Sequence, residues 1–127
     1  MSVNLGKFIF YEEKSFKMLK VEAIIRSSML QDIQKALAKN GITTFSVYQV
    51  NLTGMHKAHV GLRNKMSDFI PKSKLEILCP DGAGDEIVNI IQETARTGKK
   101  GDGIVYVYKI NKVIKIRNGD IDEKALV

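Results

Sequence analysis

The chain has 127 residues, 44% hydrophobic and 27% charged, and its 20 Lys+Arg against 14 Asp+Glu give a formal charge of +6. That size and composition suit one folded domain and exclude wholesale disorder, while the positive excess points to an anionic partner: a nucleotide, a nucleic acid or an acidic protein surface. No apolar run approaches the roughly 20 residues of a bilayer span, and the lone Cys79 excludes an internal disulfide framework.

In chain order, the first stretch, MSVNLGKFIFYEEK, lacks the long apolar segment and cleavage site of a signal peptide. With a single cysteine this predicts a reducing, cytoplasmic setting. Residues 1–17 stand apart as an extension of unassigned role, within which Phe8–Tyr11 is apolar enough for a short strand. The domain proper is expected over 18–127. From Leu19 to Arg26 the chain reads as a strand with Val21, Ala23 and Ile25 on one face. Ser28, with Gln31 at the capping-box position, predicts the start of a helix carrying Ile33, Ala36 and Leu37, and Gly41 its end. Phe45–Val50 is β-branched and aromatic, hence a second strand.

The connection from Val50 to Asp68 is too long for a hairpin turn. Between Asn51 and Ser67 it holds no acidic residue but carries His56, Lys57, His59, Arg63 and Lys65. A long basic loop is a natural arm for an acidic or phosphate-bearing partner. His56 and His59 have no third ligand nearby, so no metal site is expected.

The pattern then repeats. Lys74–Leu78 alternates as a strand, Pro80-Asp81-Gly82 opens a helix with Ile87, Ile91 and Ala95 on one stripe and Val88 beside it, Gly98 is expected to stop it, and Ile104–Ile110 forms the last strand. The order βαβ-βαβ predicts an α+β, ferredoxin-like fold, a four-stranded antiparallel sheet with two helices on one face and a long loop after its second strand. The Ile104–Tyr108 strand is apolar on both faces, which predicts cover from a second subunit. Val113, Ile114 and Ile116 suggest a short strand or turn before a polar tail.

Between the second helix and the last strand lies Arg96-Thr97-Gly98-Lys99-Lys100-Gly101-Asp102-Gly103, with three of the ten glycines. Glycine permits positive φ and close approach to bare N–H groups, and the threonine hydroxyl and lysines add donors that suit a phosphate.

Leu19–Arg26, the Asp68-Phe-Ile-Pro-Lys72 segment, Thr97-Gly-Lys-Lys-Gly-Asp-Gly103 and Val113-Ile-Lys-Ile-Arg-Asn-Gly119 occur in the order and spacing of the PII nitrogen-regulatory signal-transduction family. The resemblance runs from Met18 to Gly119, and the short connection around Gly54–Gly61 looks most like the branch associated with nitrogenase control. It implies a cytoplasmic homotrimer that binds ATP or ADP, with Mg, as an effector between subunits rather than as a tightly held cofactor. Thr97, Gly98, Lys99, Gly101, Asp102 and Gly103 would cradle phosphates, Lys115 and Arg117 would stand where the family uses two arginines of the adjacent subunit, and Ser46 would help hold the base. Lys72 matches the lysine that grips 2-oxoglutarate. The loop bearing His56, Lys57, Arg63 and Lys65 would dock onto a target protein, a membrane transporter among the candidates.

The chain also departs from that pattern. Ile104 stands where the family carries a cation on the phosphates; a charged hydrogen bond is worth about 1.5–3 kcal/mol, so ATP should weaken roughly tenfold or more. His56 replaces the glutamine that holds the nucleotide-bound magnesium, and Thr44 replaces a glycine near the base. The loop is shorter than the family's and lacks the tyrosine modified by uridylylation.

Three other readings compete with a nucleotide-responsive regulator. An RNA-recognition domain shares the fold but reads bases with aromatics on the central strands; here those positions hold Lys20, Glu22, Lys74 and Glu76, which suit cross-strand pairing. No residue identifies itself as a catalytic base, so no catalytic residue is assigned. An orphan trimer with a degraded effector site is the remaining alternative, raised by Ile104.

Overall fold

The computed structural model describes residues 2–5, 8–11, 16–57, 64–66 and 69–127, with side chains described over 16–54 and 69–127. The expected strand at Phe8–Tyr11 (β2) forms and pairs antiparallel with Ser2–Leu5 (β1), a partner not foreseen. Met18–Ile25 (β3) and the helix Leu30–Lys39 (α1) follow, then Ser46–Leu52 (β4), Met55–Lys57 (β5), Asn64–Met66 (β6), Ile70–Pro80 (β7), the helix Gly84–Ala95 (α2) and Gly103–Ile110 (β8).

The main sheet has the order β4-β7-β3-β8, with each neighbouring pair antiparallel. This is the expected α+β, ferredoxin-like arrangement. Inward residues of the two central strands, Val21, Ala23 and Ile25 of β3 and Leu75, Ile77 and Cys79 of β7, form one core with Ile33 and Leu37 of α1 and Ile87, Ile91 and Ala95 of α2. Burial raises the Cys79 thiol, so it packs as an inert core group.

The helix ends show where local chemistry decides. At the end of α1 the Gly41 N–H donates to Ala38 O and the Ile42 N–H to Leu37 O, both at 3.0 Å, with Gly41 at φ +82°. That is a Schellman closure, with Ile42 returning to the core beside Leu37. The expected Ser28 cap is not formed. Ser27–Met29 make a 3-10 turn before α1, no side chain caps the start of either segment, and Ser28 lies inside that turn, whereas an N-cap needs extended backbone. Ahead of α2, Asp81–Ala83 likewise form a 3-10 turn. Gly84 then starts the helix against β3, where a Cβ would meet Leu19 Cδ1 at 2.5 Å. The helix ends at Ala95, short of Gly98, because the Thr97 and Gly98 N–H groups are taken by Asp102 instead of by the helix.

β7 is longer than its alternating stretch predicted, since Ile70–Ser73 pair with Gln49–Leu52. The long connection also carries a ladder of its own, β5 with β6. After β8, the Val113–Ile116 segment is a turn held by one bridge, Ile114 to Ile121. Asp122, at φ +53°, clamps it: its carboxylate accepts the Val113 N–H at 3.2 Å and its own N–H donates to Val113 O at 2.8 Å. The tail beyond is a 3-10 turn, Asp122–Leu126.

Candidate functional site

The glycine loop folds around a carboxylate of its own. Asp102 accepts the Thr97 hydroxyl at 2.5 Å and the N–H groups of Thr97 and Gly98, each at 2.9 Å. Arg26, at the end of β3, adds a close ion pair to the same carboxylate. The Thr97 hydroxyl first, then its N–H, hold the Asp102 carboxyl well below the usual carboxylate range. Gly98, Gly101 and Gly103 all have positive φ. At Gly103 glycine is obligatory: a Cβ there would lie 1.8 Å from the Ile24 carbonyl oxygen of the neighbouring strand. Two cations brace the loop from the sheet, Arg26 donating to Lys100 O at 2.6 Å and Lys72 to Gly101 O at 2.8 Å. Lys99 and Lys100 face solvent.

The other expected ligand residues lie elsewhere. Ser46 is exposed at the start of β4, on the opposite edge of the sheet from β8, and borders a cleft of about 490 Å³ with Thr44, Leu78 and Leu126. Three strand spacings separate the two edges, roughly 14 Å. Lys115 and Arg117 follow β8, and the Lys115 ammonium donates to the backbone oxygen of Val127. Within one copy, then, Lys72 reaches the glycine loop but Ser46 lies on another edge. Ile104 is 60% exposed and pairs with Ile24. His56, Lys57 and Lys65 fall on β5 and β6, and Arg63 lies outside the described residues.

Sequence reading assigned no part to Arg26, Ser27, Gln49 or Ser73. The Ser27 hydroxyl donates to Gln49 Oε1 at 3.3 Å, the Gln49 amide to Ser73 Oγ at 3.0 Å, and the Ser73 hydroxyl to Ser27 Oγ at 2.9 Å. The available signal was Ser73 itself, a polar residue in the inward row of Leu75, Ile77 and Cys79. The Arg26–Asp102 pair spans 76 positions, which no local pattern reveals.

The helix-free face of the sheet is organised in cross-strand rows: Tyr48, Lys74, Ile24 and Ile104; Ser46, Glu76, Glu22 and Tyr106; Leu78, Lys20 and Tyr108. At its centre Glu22 is only 2% exposed. Lys20 lies 2.8 Å from one Glu22 oxygen and Lys74 3.5 Å from the other, with Glu76 at 3.9 Å from Lys20. Burial pushes the Glu22 carboxyl up, but hydrogen bonds from Lys20 and Tyr106 outweigh it and hold the value at about 2. Tyr48 donates to Glu76 at 2.6 Å, and the Lys20 ammonium sits 4.6 Å from the Tyr108 ring centre. The expected cross-strand pairing of Lys20, Glu22, Lys74 and Glu76 is therefore present.

Among the described residues no group of three His, Cys, Asp or Glu side chains is placed to hold a metal ion, and no helix is long and apolar enough to cross a membrane.

The sequence model of the family described as nitrogen regulatory protein P-II matches residues 18–120. Nitrogen regulatory protein P-II 1 of Escherichia coli K12 is 43% identical over 112 residues, covering 86% of this chain and all of that protein. The Pasteurella multocida protein is 42% identical over the same span. Among solved structures, Bacillus subtilis GlnK in its ATP complex superposes with a TM-score of 0.75 at 28% identity, covering 86% of this chain and 95% of that one. Arabidopsis thaliana PII bound to citrate gives 0.71 at 34% identity, covering 87% and 90%. The chain belongs to the nitrogen regulatory protein P-II family and is a PII-type signal-transduction protein of nitrogen regulation.

Proposed function

We propose that this regulator is a cytoplasmic homotrimer that reads ATP or ADP, with Mg on the phosphates, in clefts between its subunits. The observation that carries this reading is the split of the expected ligand set between the two edges of one sheet. Ser46 on β4 and the glycine loop ahead of β8 can share one nucleotide only if neighbouring copies bring opposite edges together. The ATP complex of Bacillus subtilis GlnK, a relative of the same fold, supports the ligand class. In this reading Thr97, Gly98, Lys99, Gly101, Asp102 and Gly103 form the phosphate side, Lys115 and Arg117 supply charge from the adjacent copy, and Ser46 borders the base. Because Asp102 already occupies the Thr97 and Gly98 N–H groups, the phosphates meet the outer rim of the loop and its lysines. Lys72 is bound to Gly101 O, so 2-oxoglutarate would have to displace that bond. The basic connection with His56, Lys57, Arg63 and Lys65 is the arm that docks on a target protein. The protein acts by binding, with no catalytic step and no nucleic-acid partner.

Calorimetric titration of the purified protein with ATP and ADP, each with and without 2-oxoglutarate, tests this. With no cation at Ile104, the two nucleotides should bind within about tenfold of one another, and 2-oxoglutarate should add little. Absence of heat with either nucleotide at millimolar concentration would favour the orphan trimer. Tight ATP binding strengthened by 2-oxoglutarate would refute the roles given to Ile104 and His56.

A further inference from the structure

We propose that the hydrogen-bonded triangle of Ser27, Gln49 and Ser73 transmits the state of the glycine loop to the root of the long connection, with Gln49 and Ser73 as positioning residues. This rests on the nucleotide reading above and assigns residues that reading does not include. The triangle is cyclic, since each side chain both donates and accepts: Ser27 to Gln49, Gln49 to Ser73, Ser73 to Ser27. Hydrogen bonds joined in this way polarise one another, so the network can be worth more than its separate pairs.

Each corner is tied to a different working part. Ser27 follows Arg26, which holds the Asp102 carboxylate and Lys100 O. Ser73 follows Lys72, which holds Gly101 O. Gln49 belongs to β4, whose end at Leu52 runs into the connection. Gln49, Ser73, Ile25 and Gly103 also form one cross-strand row, from the edge that feeds the connection to the edge that receives the glycine loop. A ligand that moves Gly101 or Asp102 pulls on Arg26 and Lys72, and through their chain neighbours on two corners of the triangle; the third corner is the stem of the connection. Stability alone does not call for this. Ser73 is fully buried in an otherwise apolar row, where an apolar set of the same shape would serve as well or better.

The test uses full-length protein carrying Ser73→Ala or Gln49→Met, with Ser27→Ala at an exposed corner to decide the matter should Ser73→Ala fail to fold. Two readouts are compared: ATP affinity by calorimetry, and hydrogen exchange over residues 51–68 with and without saturating ATP. In the unaltered protein ATP should change exchange in that segment by at least about fivefold, the low end of ordinary site-to-site coupling. The variants should bind ATP within about threefold of the parent, the triangle lying outside the ligand shell, yet lose the ATP-dependent change. Variants that keep the full change overturn the proposal, as does a parent protein that binds ATP with no change over 51–68. A parent that gives no heat with ATP removes the nucleotide reading itself, and this inference with it.

Discussion

At the scale of single residues, Gly98 and Gly103 separate two reasons for glycine. Both have positive φ, but a Cβ at Gly98 meets nothing within 4 Å while one at Gly103 strikes the Ile24 carbonyl. Gly98→Ala should therefore cost about 1 kcal/mol, the ordinary left-handed penalty. Gly103→Ala should cost more than about 2 kcal/mol, because β3 and β8 must part. Urea denaturation of the two variants checks the difference, and equal losses would refute the packing argument. Glu22 supplies a second residue-scale expectation. Its folded value is depressed from 4.5 to about 2, so its stabilisation is present above about 4.5 and is lost as pH falls toward 2. Glu22→Gln should be less stable than the parent at pH 7, with the gap closing through that window in thermal melts. A gap independent of pH would mean that Glu22 acts by shape and not by charge.

Elements were legible where periodicity and end chemistry agreed. Ile33 and Leu37, or Ile87, Ile91 and Ala95, mark inner faces at helical spacing, and Asn40-Gly41-Ile42 carries the signature of a Schellman closure in sequence order. The start of α1 was misread because Ser28 and Gln31 satisfy the capping-box spacing while the chain makes a 3-10 turn there. β7 was read too short because Ile70–Ser73 breaks clean alternation: Pro71 and Lys72 look like loop until β4 is laid beside them. The glycine loop was legible as a loop with backbone donors, but its interior was not. That Asp102 would take the Thr97 and Gly98 N–H groups depends on Arg26 arriving from a distant strand, and charge patterns along the chain carry no such information.

For the whole molecule, the consequential surface is the helix-free face of the sheet. It combines the buried Glu22 cluster with exposed Tyr48, Leu78, Ile104 and Tyr108. A face that is half ion network and half bare apolar side chain is suited to a second copy of itself, where cross-strand rows extend from one sheet to the next. The proposed trimer thus predicts that Tyr108→Asp, which removes the ring packed against Lys20 and puts a carboxylate into the covered face, shifts the protein to monomer or unfolds it. Sedimentation at micromolar concentration reads the outcome, and a parent protein that is already monomeric there would refute the assembly.

The carboxylate inside the glycine loop has a kinetic meaning. Where a loop must change shape to bind its ligand, encounter is followed by a slower rearrangement and association is slowed. Here Asp102 plays the anion's part from within, fixing Thr97 and Gly98 as the chain folds. The conformational entropy of the loop is given up once, at folding, and not again at each binding event. In the proposed nucleotide role, an arriving ligand would meet Thr97 and Gly98 already fixed, so its capture should be limited by collision and charge, with any shift of Gly101 or Asp102 following capture rather than preceding it.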